Sequence, residues 1–174
     1  LVMTTDSAPV YLVNAYMDPI LLKIQGRANY LNCTALRKLF KTLIDRGSHH
    51  FVIDFSQCSG MDSTFLGILA GSILELRKKN PPGSITLCHL GTRNLELIRN
   101  VGLHRLLTVE SGDFPMSFDF RELEDVQSEQ GKADSYLILE AHQSLVEADS
   151  SNLNKFQDVI SFLKKELEGE SSEA

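Results

Sequence analysis

The chain has 174 residues, 43% of them hydrophobic, which is enough for one domain with a real core plus an appendage. A formal net charge of -6 argues against a general binder of nucleic acid or anionic membrane, because no basic excess is available to neutralise phosphates. No apolar run approaches the roughly 20 residues of a membrane helix. The N-terminus, which begins at Leu1, shows no signal-peptide pattern. Cys33, Cys58 and Cys88 are far apart and outside any metal-ligand spacing, which suits a reducing cytoplasm better than a disulfide scaffold.

In chain order, VYLVNAY (10–16) and ILLKIQ (20–25) read as two short strands joined by the Asp18-Pro19 turn, with Gly26 closing the second. CTALRKLFKTLIDRG (33–47) places Leu36, Leu39, Phe40 and Leu43 on one face and predicts an amphipathic helix that stops at Gly47. HFVIDFS (50–56) is a nearly continuous apolar run, as expected of a central strand covered on both faces. A helix over 62–79 follows, ended by Asn80-Pro81-Pro82-Gly83; SITLCHL (84–90) is the next buried strand. A third helix over 92–103, capped by Thr92, and a short strand LLTV (106–109) complete the series. Strands alternating with helices predict an α/β layer of mainly parallel strands with right-handed crossovers, the initial hairpin adding an antiparallel edge.

Beyond Ser111-Gly112-Asp113 the character changes. DFRELEDVQSEQGK (119–132) is polar and acidic with no burial pattern, and two helical segments follow. The first carries a stripe of Ile138, Ala141, Leu145 and Ala148; the second carries Leu153, Phe156, Ile160, Leu163 and Leu167, three and four residues apart as in a heptad seam. ADSSN (148–152) offers several N-caps between them, and GESSEA at the end is expected to be disordered. The seam predicts burial against the chain's own domain or in a homodimer formed through these C-terminal helices. The expected division is therefore residues 1–112 as an α/β domain and 113–174 as an acidic connector with a helical extension.

Enzyme signatures are missing. There is no GxxxxGK[ST] loop and no GxGxxG turn after the first strand. Cys58 follows a buried strand, but Thr64 stands where a phosphatase would place its phosphate-clasping arginine. Asp54-Phe55-Ser56 lacks the second aspartate of a magnesium-dependent phosphotransferase site. His49, His50, His89, His104 and His142 have no metal-ligand spacing. No catalytic residue, metal or cofactor is expected.

Asp62-Ser63-Thr64, between the central strand and its helix, is first of all a set of good N-cap residues. Its context is more specific. FVIDFSQCSGMDSTFLGILAGSILELRKKNPPGSITLCHLGTRNLELIRNVGLHRLL resembles the STAS domain, the fold shared by sulfate transporters and anti-sigma factor antagonists. The places of that family's D-S-[ST]-G-L-G turn are filled by Asp62-Ser63-Thr64-Phe65-Leu66-Gly67, and those of its V-G-L segment by Val101-Gly102-Leu103. IQGRANYLNCTALRKLF resembles the family's strand, loop and first helix, so the likeness spans about residues 10–110.

The resemblance implies a STAS-like, mixed but mainly parallel sheet of four to five strands with helices, acting as a cytoplasmic, phosphorylation-regulated anti-sigma factor antagonist. Ser63 matches the serine modified by the partner, an anti-sigma factor that is also a serine kinase; a serine phosphatase would reverse the modification. Thr64 is the second hydroxyl. Asn29, Asp62, Ser63, Thr64 and Phe65 are implied partner contacts, and Gly67 would allow a neighbouring backbone to approach closely. The sequence departs from the family at Phe65, where glycine is usual and where the side chain is either core or contact, and at Asn29, where aspartate is common. A STAS subunit regulating a transporter or lipid-export complex without phosphorylation, or a small-ligand or nucleotide sensor, fits the same resemblance.

Overall fold

A computed structural model describes residues 10–112, 124–125 and 131–172. Six strands form one sheet: β1 (Tyr11–Asn14), β2 (Ile20–Ala28), β3 (His50–Met61), β4 (Ser84–Cys88), β5 (Thr108–Glu110) and β6 (Glu124–Asp125), ordered β5-β4-β3-β2-β1-β6. The strands from β2 to β5 pair in parallel, and β1 pairs antiparallel with β2. This is the expected mainly parallel sheet of five strands. The addition is β6, two residues of the acidic segment that pair antiparallel with β1 and so displace it from the edge. The rest of that segment up to residue 130 lies outside the described residues, as do residues 1–9.

Parity sorts the side chains. Leu22, Ile24, Ile53, Phe55, Ile85 and Leu87 alternate onto the face packed by helices, while Leu21, Val52 and Cys88 form a smaller cluster of their own. β3 is central because both its faces are apolar, and it runs to Met61, five residues beyond its apolar stretch. β2 likewise continues past Gly26 to Ala28, with its register to β3 shifted after Lys23 and again after Gly26.

Among the described residues five α-helices accompany the sheet: α1 (Cys33–Asp45), α2 (Ser63–Arg77), α3 (Thr92–Asn100), α4 (Ser135–Ala148) and α5 (Asn152–Ser172). Thr92 is not the cap of α3. Gly91 holds that position without a side-chain bond, and Thr92 is the first helical residue. The tail reads differently too: α5 continues through Gly169 to Ser172, where disorder was expected.

α2 is apolar nearly all round, and its buried residues run from Thr64 to Leu76. A helix of that kind needs a neighbour on more than one side. The sheet supplies one and α4 the other, so the C-terminal hairpin of α4 and α5 packs back onto the domain. The hairpin closes most of its seam within the chain: Ile160, Leu163 and Leu167 are buried, Phe156 is half-buried against the core, and Leu153 is exposed.

Candidate functional site

The turn from β3 into α2 is fixed by Asp62. Its Oδ1 accepts the backbone N–H of Phe65 at 2.9 Å, the N-cap bond that satisfies one amide of the first turn. Its Oδ2 accepts the N–H of Tyr30 at 2.8 Å, tying in the loop between β2 and α1. That loop is braced by Asn29, whose side-chain oxygen accepts from Leu31 N and whose own N–H donates to Asn32 Oδ1. Asn29 and Asp62 are thus brought to one surface, with the exposed Tyr30 and Leu31 between them.

Ser63 is the first residue of α2 and is half-buried. Oγ lies 2.8 Å from His142 Nε2 on α4, 79 residues away in the chain. The roles of the two ring nitrogens follow from the other contact of the imidazole. Nδ1 is 2.7 Å from the carbonyl of Ile138, which can only accept, so Nδ1 carries a proton. In the neutral ring Nε2 is then the acceptor and Ser63 the donor. His142 is 3% exposed and its ring meets that of Phe156 edge-on at 5.2 Å.

The remaining predicted residues divide. Thr64 is buried, so its hydroxyl is not presented as an alternative acceptor. Phe65 is completely buried and meets Phe55 edge-on at 6.4 Å; it is a core residue. The bulk that replaces the family's glycine is accommodated inside the fold. Gly67 does permit a close approach, and the neighbour is α4: a methyl group there would overlap the backbone carbonyl of Ala141. Gly102, at φ 75°, is likewise pressed by Asp149 of the turn between α4 and α5. Ala141 belongs to the apolar stripe read from the sequence, but neither it nor His142 is marked there as a neighbour of Ser63 or Gly67. Their signal was the all-round apolarity of α2, together with Gly67 and Gly71 one turn apart.

Chemically, a serine hydroxyl within hydrogen-bond distance of an imidazole is the pairing that nucleophile activation uses. The groove of about 260 Å³ between α1, α2 and α4 is lined by Arg37, Gly71, Glu75, Glu140 and Ser144 among others, and Ser63 is not part of its wall. A second cluster, Asp54, Cys88 and His89, has ligand-type atoms within 4.8 Å of one another. Asp54 accepts from His89 Nδ1 and from Ser56, and the Cys88 thiol donates to Ile53 O. Burial, with Asp54 beside it, pushes the Cys88 thiol up to about 12, so it stays protonated.

Residues 13–108 match the family model described as Mlab, STAS domain. The chain belongs to the STAS family. Two solved structures similar to this STAS protein are the anti-sigma factor antagonist SpoIIAA in its unphosphorylated form and the Bacillus cell fate determinant SpoIIAA in the phosphorylated form. The first has 17% identity and a TM-score of 0.49, covering 59% of this chain and 89% of the other. The second has 17% identity and a TM-score of 0.48, covering 58% and 91%. The STAS match ends before α4, so His142 and the whole hairpin lie outside it.

Proposed function

We propose that the chain is a non-catalytic, phosphorylation-regulated STAS module in partner switching, with residues 1–112 as the STAS unit and 113–174 as its appendage. In its unmodified form the surface around Asn29, Asp62 and Ser63 binds an anti-sigma factor that is also a serine kinase. The kinase transfers the γ-phosphoryl group of ATP to Ser63 Oγ, the hydroxyl proton leaves, and ADP departs. A serine phosphatase uses water to restore the serine and release inorganic phosphate. ATP and such partners place the cycle in the cytoplasm, and no helix among the described residues is long and apolar enough to cross a membrane.

The observation that carries this reading is the position of Ser63 at the first turn of α2, beside the Asp62 cap that joins helix and loop. A phosphate adds about -1.5 to -2 charges, and a helix N-terminus tolerates anions through its free amides and dipole. The modified residue can stay in a folded domain, while a partner surface meeting that charge must desolvate it.

A second reading has its own support. The Ser63 hydroxyl is already hydrogen-bonded to His142, as in a module that never passes through phosphorylation and instead regulates a transporter or lipid-export complex. Capture of partners from the protein's own cells, followed by phosphosite mass spectrometry, separates the two. A serine kinase captured together with phosphate on Ser63 supports the first reading; transporter subunits captured on a chain unmodified at Ser63 support the second.

A further inference from the structure

Ser63 lies under a lid of its own chain. α4 is seated on α2 so closely that Gly67 has no room for a side chain against Ala141. The flanks of the contact are charge-complementary. Arg37 pairs with Glu140 at 2.6 Å, Lys78 with Glu147 at 3.7 Å and Arg105 with Asp149 at 3.5 Å, each time with the base on the STAS unit and the acid on the hairpin or its turn. The end of the hairpin is pinned as well: buried Asn152 donates to the carbonyls of Val101 and Leu145, and the Lys155 amine to that of Asn100.

We infer that the hairpin of α4 and α5 is a cis-acting cover of the Ser63 face, and that phosphate on Ser63 releases it. The inference rests on the proposed role of Ser63 and adds a second reader of the switch, the chain's own C-terminus. Between Oγ and Nε2, 2.8 Å apart, there is no room for phosphorus and its oxygens. The phosphoester also has no O–H to give, so against the neutral ring its acceptor oxygens would face an acceptor nitrogen in a contact where His142 is 3% exposed. The N-terminus of α2 accommodates the anion, and the packed α4 does not.

Linkage makes the effect reciprocal: the docked hairpin disfavours phosphorylation by the same factor by which phosphorylation disfavours docking. In the unmodified chain the partner competes with α4 for this face and binds the fraction of chains in which α4 has lifted; after modification the phosphate itself excludes that partner, so release of α4 does not restore its binding.

The test is hydrogen exchange, followed by mass spectrometry, on the full chain with phosphoserine installed at position 63 by codon expansion. Exchange across Ser135–Ala148 should quicken by about tenfold or more relative to the unmodified chain, while β3 and β4 keep their protection. Ser63→Ala should leave α4 protected more than the phosphorylated form does. Ser63→Asp, a smaller anion that α2 can cap, gives the same comparison should the phosphoserine chain fold poorly. Unchanged or increased protection of α4, the result if His142 takes up a proton and pairs with the phosphate, overturns the inference. So does loss of protection in the strands along with α4. Absence of phosphate on Ser63 in protein from its own cells would instead sink the proposed function and leave this release standing.

Discussion

The Ser63 hydroxyl and His142 Nε2 are hydrogen-bonded across 2.8 Å, joining the first turn of α2 to the middle of α4. The acceptor ring is oriented by its own bond to Ile138 and closed over by Phe156. Replacing His142 with alanine removes this bond and leaves a cavity between α2, α4 and α5. We expect a loss of about 1–3 kcal/mol of stability from the unpaired group, read from the denaturant midpoint. A midpoint that does not move would mean the contact is absent in solution.

Gly67→Ala tests the approach of the two helices without touching a polar group. The added methyl overlaps the Ala141 carbonyl, which is backbone and cannot rotate away. α4 must shift, at a cost of roughly 1–3 kcal/mol. The expected result is lower thermal stability together with faster amide exchange in α4. A neutral substitution would contradict the observed packing.

Phe65 separates a core role from a contact role. Truncation to alanine in a fully buried site should cost about 3–5 kcal/mol. Leu153, 49% exposed, should tolerate the same truncation within about 0.5 kcal/mol. Chemical denaturation of the two variants side by side measures the contrast. Equal effects would mean that one of the two residues is misplaced.

Cys33 and Cys88 give a dependence on alkaline pH. Burial first, with nearby carboxylates adding to it, moves both thiols from 9.0 up to about 12. The folded chain keeps protons that the unfolded chain releases above pH 9. Their contribution is therefore intact below pH 9 and is lost as pH rises toward 12. A denaturation series should show stability falling over that window, and Cys33→Ala/Cys88→Ala should flatten the fall. An equal fall in that variant would assign it to other groups.

Much of the sheet was readable because its strands announce themselves: the continuous apolar run of β3 and the breakers at Asp18-Pro19 and Asn80-Gly83 fix order and direction. Asp62-Ser63-Thr64 could be placed at the start of α2 from cap chemistry alone. What could not be read was the pairing across the chain. His142 sits alone in its helix, and nothing local marks it as the acceptor of a hydroxyl 79 residues away. Phe65 stayed ambiguous because the first turn of a helix can face inward or outward, and only the position of Phe55 decides it. β6 escaped notice because two residues pairing with β1 leave no periodicity to detect.

α4 of each chain lies on α2 of the same chain. A Cβ at Gly71 would stand 3.6 Å from that of Ser144, within the separation of about 3.5–4.5 Å that a disulfide requires. Gly71→Cys/Ser144→Cys, oxidised under mild conditions and resolved by non-reducing peptide mapping and solution mass, is the most direct measurement. The expected result is a bond between residues 71 and 144 within a single monomeric chain. Free thiols at both positions, or a bond found only between two chains, would contradict it.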